Sequence, residues 1–280
     1  MSALVLAMVT ATMAVWVRRL IRSPRTRADY LATVRALRWW MIPGALAQIT
    51  LVVTAFWATT TLLPVTRFGW WTALGGSGNI AFGQSGRDGI GWTLVAVAVP
   101  VLLVVLIPVF AHNEERIFRE GSETWSRGRR IRTPIVFGLV HLTMGIPVAA
   151  GVALAVSGFY FQWMYLRVVR PQVPAIDALY EASRQTVPAP PTEEPCPPLP
   201  VGAPYDPDEW DRVQALRAEV RARNWQRRQT WDGENLRRLR EQRAALRAPA
   251  VATAAAAHTA SNWLLCGTLA VLVVVDLVIG

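Results

Sequence analysis

From residue 134 to residue 166 the chain runs for 33 residues without an Asp, Glu, Arg or Lys. A helix crosses the hydrocarbon of a bilayer in roughly 20 residues, so this run is too long for one upright span. It is also too apolar for a solvated surface. Gly145-Ile146-Pro147 interrupts it, and Gly and Pro are the residues that end or kink helices. We therefore read two short helices joined at that break. Four further apolar segments stand at 3–17, 41–63, 91–110 and 251–279. Together they predict an all-α polytopic membrane bundle of about six spans, with 52% of residues hydrophobic overall. The expected location is a cell membrane, crossed several times.

Arginine sets the expected orientation. Every one of the 29 basic residues is arginine, and arginine beside a span stays on the cytoplasmic side. Arg18, Arg19, Arg22, Arg25 and Arg27 follow the first segment, which places the N-terminus outside and a basic loop inside. The loop 66–89 holds only Arg67 and Arg87 and reads as external. Tyr160, Phe161, Trp163 and Tyr165 read as an interfacial aromatic belt. The start Met-Ser-Ala lacks a positively charged lead, so the first segment is expected to remain as a membrane helix. Cys196 and Cys266 show no pattern of a disulfide or a zinc knuckle.

Four regions follow: 1–90, the N-terminal membrane helices with their outer loop; 91–170, the helices carrying two polar motifs; 171–250, a cytoplasmic insert; and 251–280, the last membrane helix. The insert is Pro-rich and expected to lack structure over 171–207. Asp206 as N-cap, Pro207 at the first helical position and acids at Asp208 and Glu209 then start a helix, with a break near Gly233. Fourteen arginines against twelve acids lie between 167 and 250. That near balance speaks for a solvated arm, and no nucleic-acid partner is expected despite the net charge of +10.

Three polar patterns interrupt the apolar segments. Glu114-Glu115 precede Arg119, Phe137 precedes His141 by four, and His258 precedes Asn262 by four. Residues four apart share a helix face. Glu115 is thus expected to meet Arg119, while Glu114, about 100° around the helix, is left to face the bundle. At about 1.5 Å per residue, His141 lies roughly 13 Å beyond Arg132 and His258 roughly 16 Å beyond Arg247. All three patterns fall in the cytoplasmic half of the membrane, as does His112. Taken singly, each has a plain reading: a juxtamembrane ion pair, an interfacial histidine, a polar contact between helices. Ionisable groups at membrane depth are nonetheless costly and usually functional, and here three share one depth.

In order and spacing these motifs resemble the CPBP family of CAAX prenyl-protein endopeptidases and Abi-type bacteriocin-processing and immunity proteins. Glu114, Glu115 and Arg119 match its first motif, Phe137 and His141 its second, His258 and Asn262 its third. The likeness covers about 103–166 and 258–272. Two departures stand out: Glu120 precedes Gly121 where the family has Gly after the motif arginine, and a long insert separates the second and third motifs. The resemblance implies an intramembrane endopeptidase that cuts a membrane-associated peptide or protein near the cytoplasmic face. In it a motif glutamate and His141 activate water, and His258 with Asn262 stabilises the oxyanion. It implies no cofactor; a zinc ion held by both histidines and a glutamate is the second-ranked possibility. The alternative reading is a non-catalytic membrane scaffold or immunity protein acting through its insert.

Overall fold

The computed structural model describes residues 2–75, 90–185, 191–198 and 207–279. Among them it is all-helical. Two compact units divide the chain: one comprises Met1–Pro171 with Arg247–Gly280, the other Gln172–Leu246.

The first unit opens with α1 (Ser2–Arg22) and α2 (Pro24–Ala36). The basic loop expected after the first segment is therefore a helix. Ser23 caps it by accepting a hydrogen bond from the Thr26 amide at 3.2 Å, and Pro24 opens it at the position where a missing N–H costs nothing. Next come α3 (Met41–Leu62), the short α4 (Trp70–Ala73) and α5 (Ile90–Arg119). The greater part of the outer loop, 76–89, lies outside the described residues.

The long apolar run is two helices, α6 (Arg127–Val140) and α7 (Val148–Val169). A single turn of 3-10 helix, His141–Met144, ends α6. Gly145 then takes a left-handed backbone, φ 79°, which glycine adopts without steric cost. The hairpin closes tightly because glycines line its seam. A Cβ on Gly138 would strike the Gly151 carbonyl oxygen, and one on Gly158 would meet the backbone of Pro134. Small residues permit this close approach. At the turn, the Val148 amide donates to the Phe68 carbonyl at 3.0 Å, and Trp70 Nε1 donates to the Leu142 carbonyl at 2.8 Å.

Of the expected aromatic belt, Phe161 and Tyr165 face inward and are fully buried, whereas Trp163 is exposed. The belt reading fails for the first two because a 3.6-residue turn sends alternate members of a dense aromatic cluster to opposite faces.

Two helices among the described residues are long and apolar enough to cross a membrane by length and composition: Met41–Leu62 and Val148–Ala182.

In the second unit, α8 (Val173–Gln185) occupies part of the stretch expected to lack structure. Its one proline, Pro174, is its second residue, where it does not interrupt the ladder. Residues 191–198 are irregular; 186–190 and 199–206, with the expected cap Asp206, lie outside the described residues. The last helix, α9, runs Pro207–Ile279. It begins at Pro207 with Asp208 and Glu209 in its first turn, and it passes through Gly233 without the expected break. A single glycine costs a helix only about 1 kcal/mol.

Candidate active site

Two adjacent glutamates on α5 have different surroundings. The Glu115 side chain is fully buried, and its Oε1 lies 3.3 Å from Arg119 Nη1, one turn on. Arg119 is buried too, sheathed by aromatic rings: its guanidinium stands 4.1 Å from the Phe137 ring centre, with Phe118 and Phe161 at 5.6 and 5.8 Å. It also reaches the Gly158 carbonyl at 3.5 Å. An arginine so enclosed is held by its carboxylate and by π-faces together.

His258, on α9, lies with Nδ1 3.0 Å from Glu115 Oε1. Its ring stacks on Phe161 at 4.3 Å and 18° and meets Phe137 edge-on at 5.9 Å. The small residues Ala254, Ala255, Ala256 and Ala257 just before it are fully buried, which is what lets α9 come close enough. His141, at the end of α6, holds Nδ1 at 2.7 Å from the carbonyl of Phe137.

Both partners of these Nδ1 atoms, a carboxylate and a carbonyl, only accept hydrogen bonds. Each Nδ1 therefore carries the proton, and in the neutral ring Nε2 is the acceptor. Both Nε2 atoms face Glu114 Oε2, His258 at 3.9 Å and His141 at 4.0 Å. Those separations exceed a hydrogen bond, and Glu114 Oε2 is buried without a hydrogen-bond partner. Three acceptor atoms thus converge on a point that calls for a donor. A water molecule, with two protons to give, serves two of the three at a time.

Asn262 is half-buried one turn beyond His258, and its side chain makes no hydrogen bond among the described residues. The six expected site residues divide accordingly. Glu114, Glu115, Arg119, His141 and His258 form one chain of neighbours, Arg119 to Glu115 to His258 to Glu114 to His141, and Asn262 extends the helix face of His258. His112 is separate: Nδ1 is 3.0 Å from Thr33 Oγ1 and Nε2 3.6 Å from Asp29, so it ties α5 to α2.

No group of three His, Cys, Asp or Glu among the described residues has the spacing of a metal site. Ligands sharing a tetrahedral zinc stand about 3.3 Å apart, closer than Glu114 is to either Nε2.

Sequence reasoning missed a second polar cluster, at the arginine-rich end. Glu123 Oε1 pairs with Arg247 at 2.6 Å, and the Glu123 side chain is only 2% exposed. Tyr165 donates its hydroxyl proton to Glu123 Oε2 and accepts from the Gly121 amide, both at 3.0 Å. Arg130 donates to the Ser122 and Glu123 carbonyls. Glu123 lies three residues after Glu120 in an arginine-rich connection without a motif of its own, and Arg247 enters the sequence reading only as the edge from which the depth of His258 is reckoned.

Comparison of the chain with protein-family models, with curated proteins and with solved structures finds no match.

Proposed function

We propose that this chain is an intramembrane endopeptidase that hydrolyses a peptide bond of a membrane-associated substrate near the cytoplasmic face. The observation that carries the reading is the convergence of Glu114 Oε2 with the Nε2 atoms of His141 and His258 at 3.9–4.0 Å. Glu114 is also the less buried glutamate, its side chain 33% exposed against 0% for Glu115. It is the one a substrate and a water can reach.

In this reading, water donates one proton toward Glu114 and one toward His141 Nε2, which aims its lone pair at the carbonyl carbon. Attack forms the C–O bond as Glu114 takes a proton. The tetrahedral oxyanion is met by the Asn262 amide, and His258, fixed by Glu115, closes the other side of the site. Glu114 then returns the proton to the leaving nitrogen, the C–N bond breaks, and an amine and a carboxylic acid leave. Were zinc bound instead, Glu114, His141 and His258 would have to close in on it, and it would supply a polarised water.

A six-span bundle with the N-terminus and C-terminus outside is part of the proposal. Leu46, Leu51, Val53 and Trp57 on α3 are each more than half exposed, a display of apolar surface that suits lipid. The turn at Gly145 and the residues 64–74 share one end of the unit, as external loops should. Arg247, Glu123 and the end of α5 share the other.

The test is hydrolysis of a membrane-peptide library by the purified protein. Glu114→Gln and His141→Ala are expected to fall to background while folding normally, and chelators are expected to have no effect. A Glu114→Gln protein that cleaves at the normal rate overturns the enzyme reading and leaves the non-catalytic scaffold.

A further inference from the structure

A cavity of about 300 Å³ opens on α7, lined by Phe159, Gln162, Trp163, Leu166, Arg167 and Arg170. The spacing of three and four residues makes these positions one stripe of the helix. The stripe is aromatic and apolar over most of its length and carries two cations at its C-terminal end.

Three observations say what it takes. First, neither Arg167 nor Arg170 has an ion-pair partner among the described residues. Arg167 lies 5.5 Å from the ring centres of both Trp40 and Trp163. Ring contacts occupy the faces of a guanidinium and leave its edge N–H groups free for an oxyanion. Second, Gln162 is only 6% exposed, yet its Oε1 has no hydrogen-bond partner. A buried amide oxygen left unpaired is costly, so the cavity offers a waiting acceptor to a donor group. Third, at about 30 Å³ per water-sized group, the volume suits about ten heavy atoms. That is the size of a phosphate with a short polyol, not of an acyl chain.

We infer that this cavity binds the headgroup of an anionic phospholipid with a hydroxylated headgroup, of which phosphatidylglycerol is the simplest. The phosphate pairs with Arg167 and Arg170, a headgroup hydroxyl donates to Gln162 Oε1, and the acyl chains lie outside along Phe159 and Trp163. Basic pockets at the cytoplasmic ends of membrane helices hold lipid headgroups by the same physics. The inference rests on the membrane reading of this chain and not on its peptidase activity.

Retention of lipid by the purified full chain in detergent, read by native mass spectrometry, tests it. Phosphatidylglycerol is expected to be kept about tenfold over phosphatidylcholine. Arg167→Gln with Arg170→Gln should abolish that preference, while the control pair Arg35→Gln with Arg38→Gln should retain it. Gln162→Leu should erase the preference for phosphatidylglycerol over phosphatidic acid, which lacks the headgroup hydroxyl. Equal retention of phosphatidylglycerol and phosphatidylcholine by the wild type, or an unchanged preference in the Arg167/Arg170 variant, overturns the inference. So does displacement of the lipid by soluble glycerol phosphate at equal concentration, which would mark a site for the free anion. Carbonate extraction separates the two failures. A chain released from membranes by carbonate defeats the membrane reading itself, whereas a chain retained without lipid preference defeats only the headgroup site.

Discussion

Glu123 and Arg247 are 124 positions apart in sequence and meet at 2.6 Å in a nearly water-free contact. Eleven residues beyond Arg247, three turns of α9, stands His258. The pair therefore pins the register at which the third motif arrives beside the first. Breaking a buried ion pair from one side leaves an uncompensated charge and costs about 3–5 kcal/mol. Arg247→Ala is expected to lower stability by that order, read as the unfolding midpoint in detergent. Arg247→Ala combined with Glu123→Gln should recover part of the loss, since no charge is then stranded. Equal midpoints for wild type and Arg247→Ala would show the contact to be idle.

A second prediction concerns Arg119. Its removal strands Glu115, which is fully buried and keeps His258 Nδ1 as its remaining polar neighbour, and it empties the space between three aromatic rings. Arg119→Ala is expected to cost about 3–5 kcal/mol and to impair hydrolysis as well. Asn262→Ala should leave the unfolding midpoint unchanged and slow hydrolysis by about 10²–10³-fold, the usual loss for one oxyanion donor. If both variants lose stability alike, Asn262 is a packing residue and not a donor.

The seam of the α6–α7 hairpin gives a third. Gly138 faces the Gly151 carbonyl and the backbone of Ala155, and backbone cannot swing aside as a side-chain tip can. Gly138→Ala should therefore cost about 1–3 kcal/mol, the range of overpacked cores. Gly128→Ala, with nothing near its would-be Cβ, should be neutral or slightly stabilising. Comparable losses in both would mean that helix propensity, not the close approach, decides.

What the sequence reveals and hides follows from the range of the interactions. The break at Gly145 was legible because a left-handed glycine followed by a proline is a local event. Glu115 against Arg119 was legible for the same reason, as a one-turn contact. The meeting of His258 with Glu115 spans 143 positions and emerged only as a shared depth reckoned from arginine edges. Helix α2 was hidden by its charge, although Ser23-Pro24 announces its start. The helicity of α8 was masked by the prolines around it. Gly233 misled in the other direction, since a good helical context outweighs one glycine. Tyr165 and Glu123 had no motif to announce them, because their partners come from three separate segments.

The last prediction is for the second unit, where residues 191–198 are fastened to α9 chiefly through Glu194. Asn224 Oδ1 accepts from the Glu194 amide and Asn224 Nδ2 donates to the Glu194 carbonyl, both at 2.9 Å. The Glu194 carboxylate takes two hydrogen bonds from Arg223 at 3.2 Å and one from Arg227 at 3.3 Å. The hydrogen bonding of Arg223, above all, holds that carboxyl below the ordinary glutamate range. A carboxyl depressed by folding contributes stability that is present above its unfolded value, about 4.3, and is lost as pH falls through the lower folded value. The clasp should therefore persist from neutral pH to below about pH 4.3 and open only in stronger acid. Cys196 is exposed within the same segment, so a fluorophore there, in a Cys266→Ser background, reports its freedom by anisotropy. A single acid transition below the ordinary glutamate range is expected, and Glu194→Gln should remove that transition and leave the segment held by Asn224, by Arg217 on the Pro197 carbonyl and by Arg228 beside Glu193. A transition at or above the ordinary glutamate value, or one that survives Glu194→Gln, would mean that the arginines do not hold this segment.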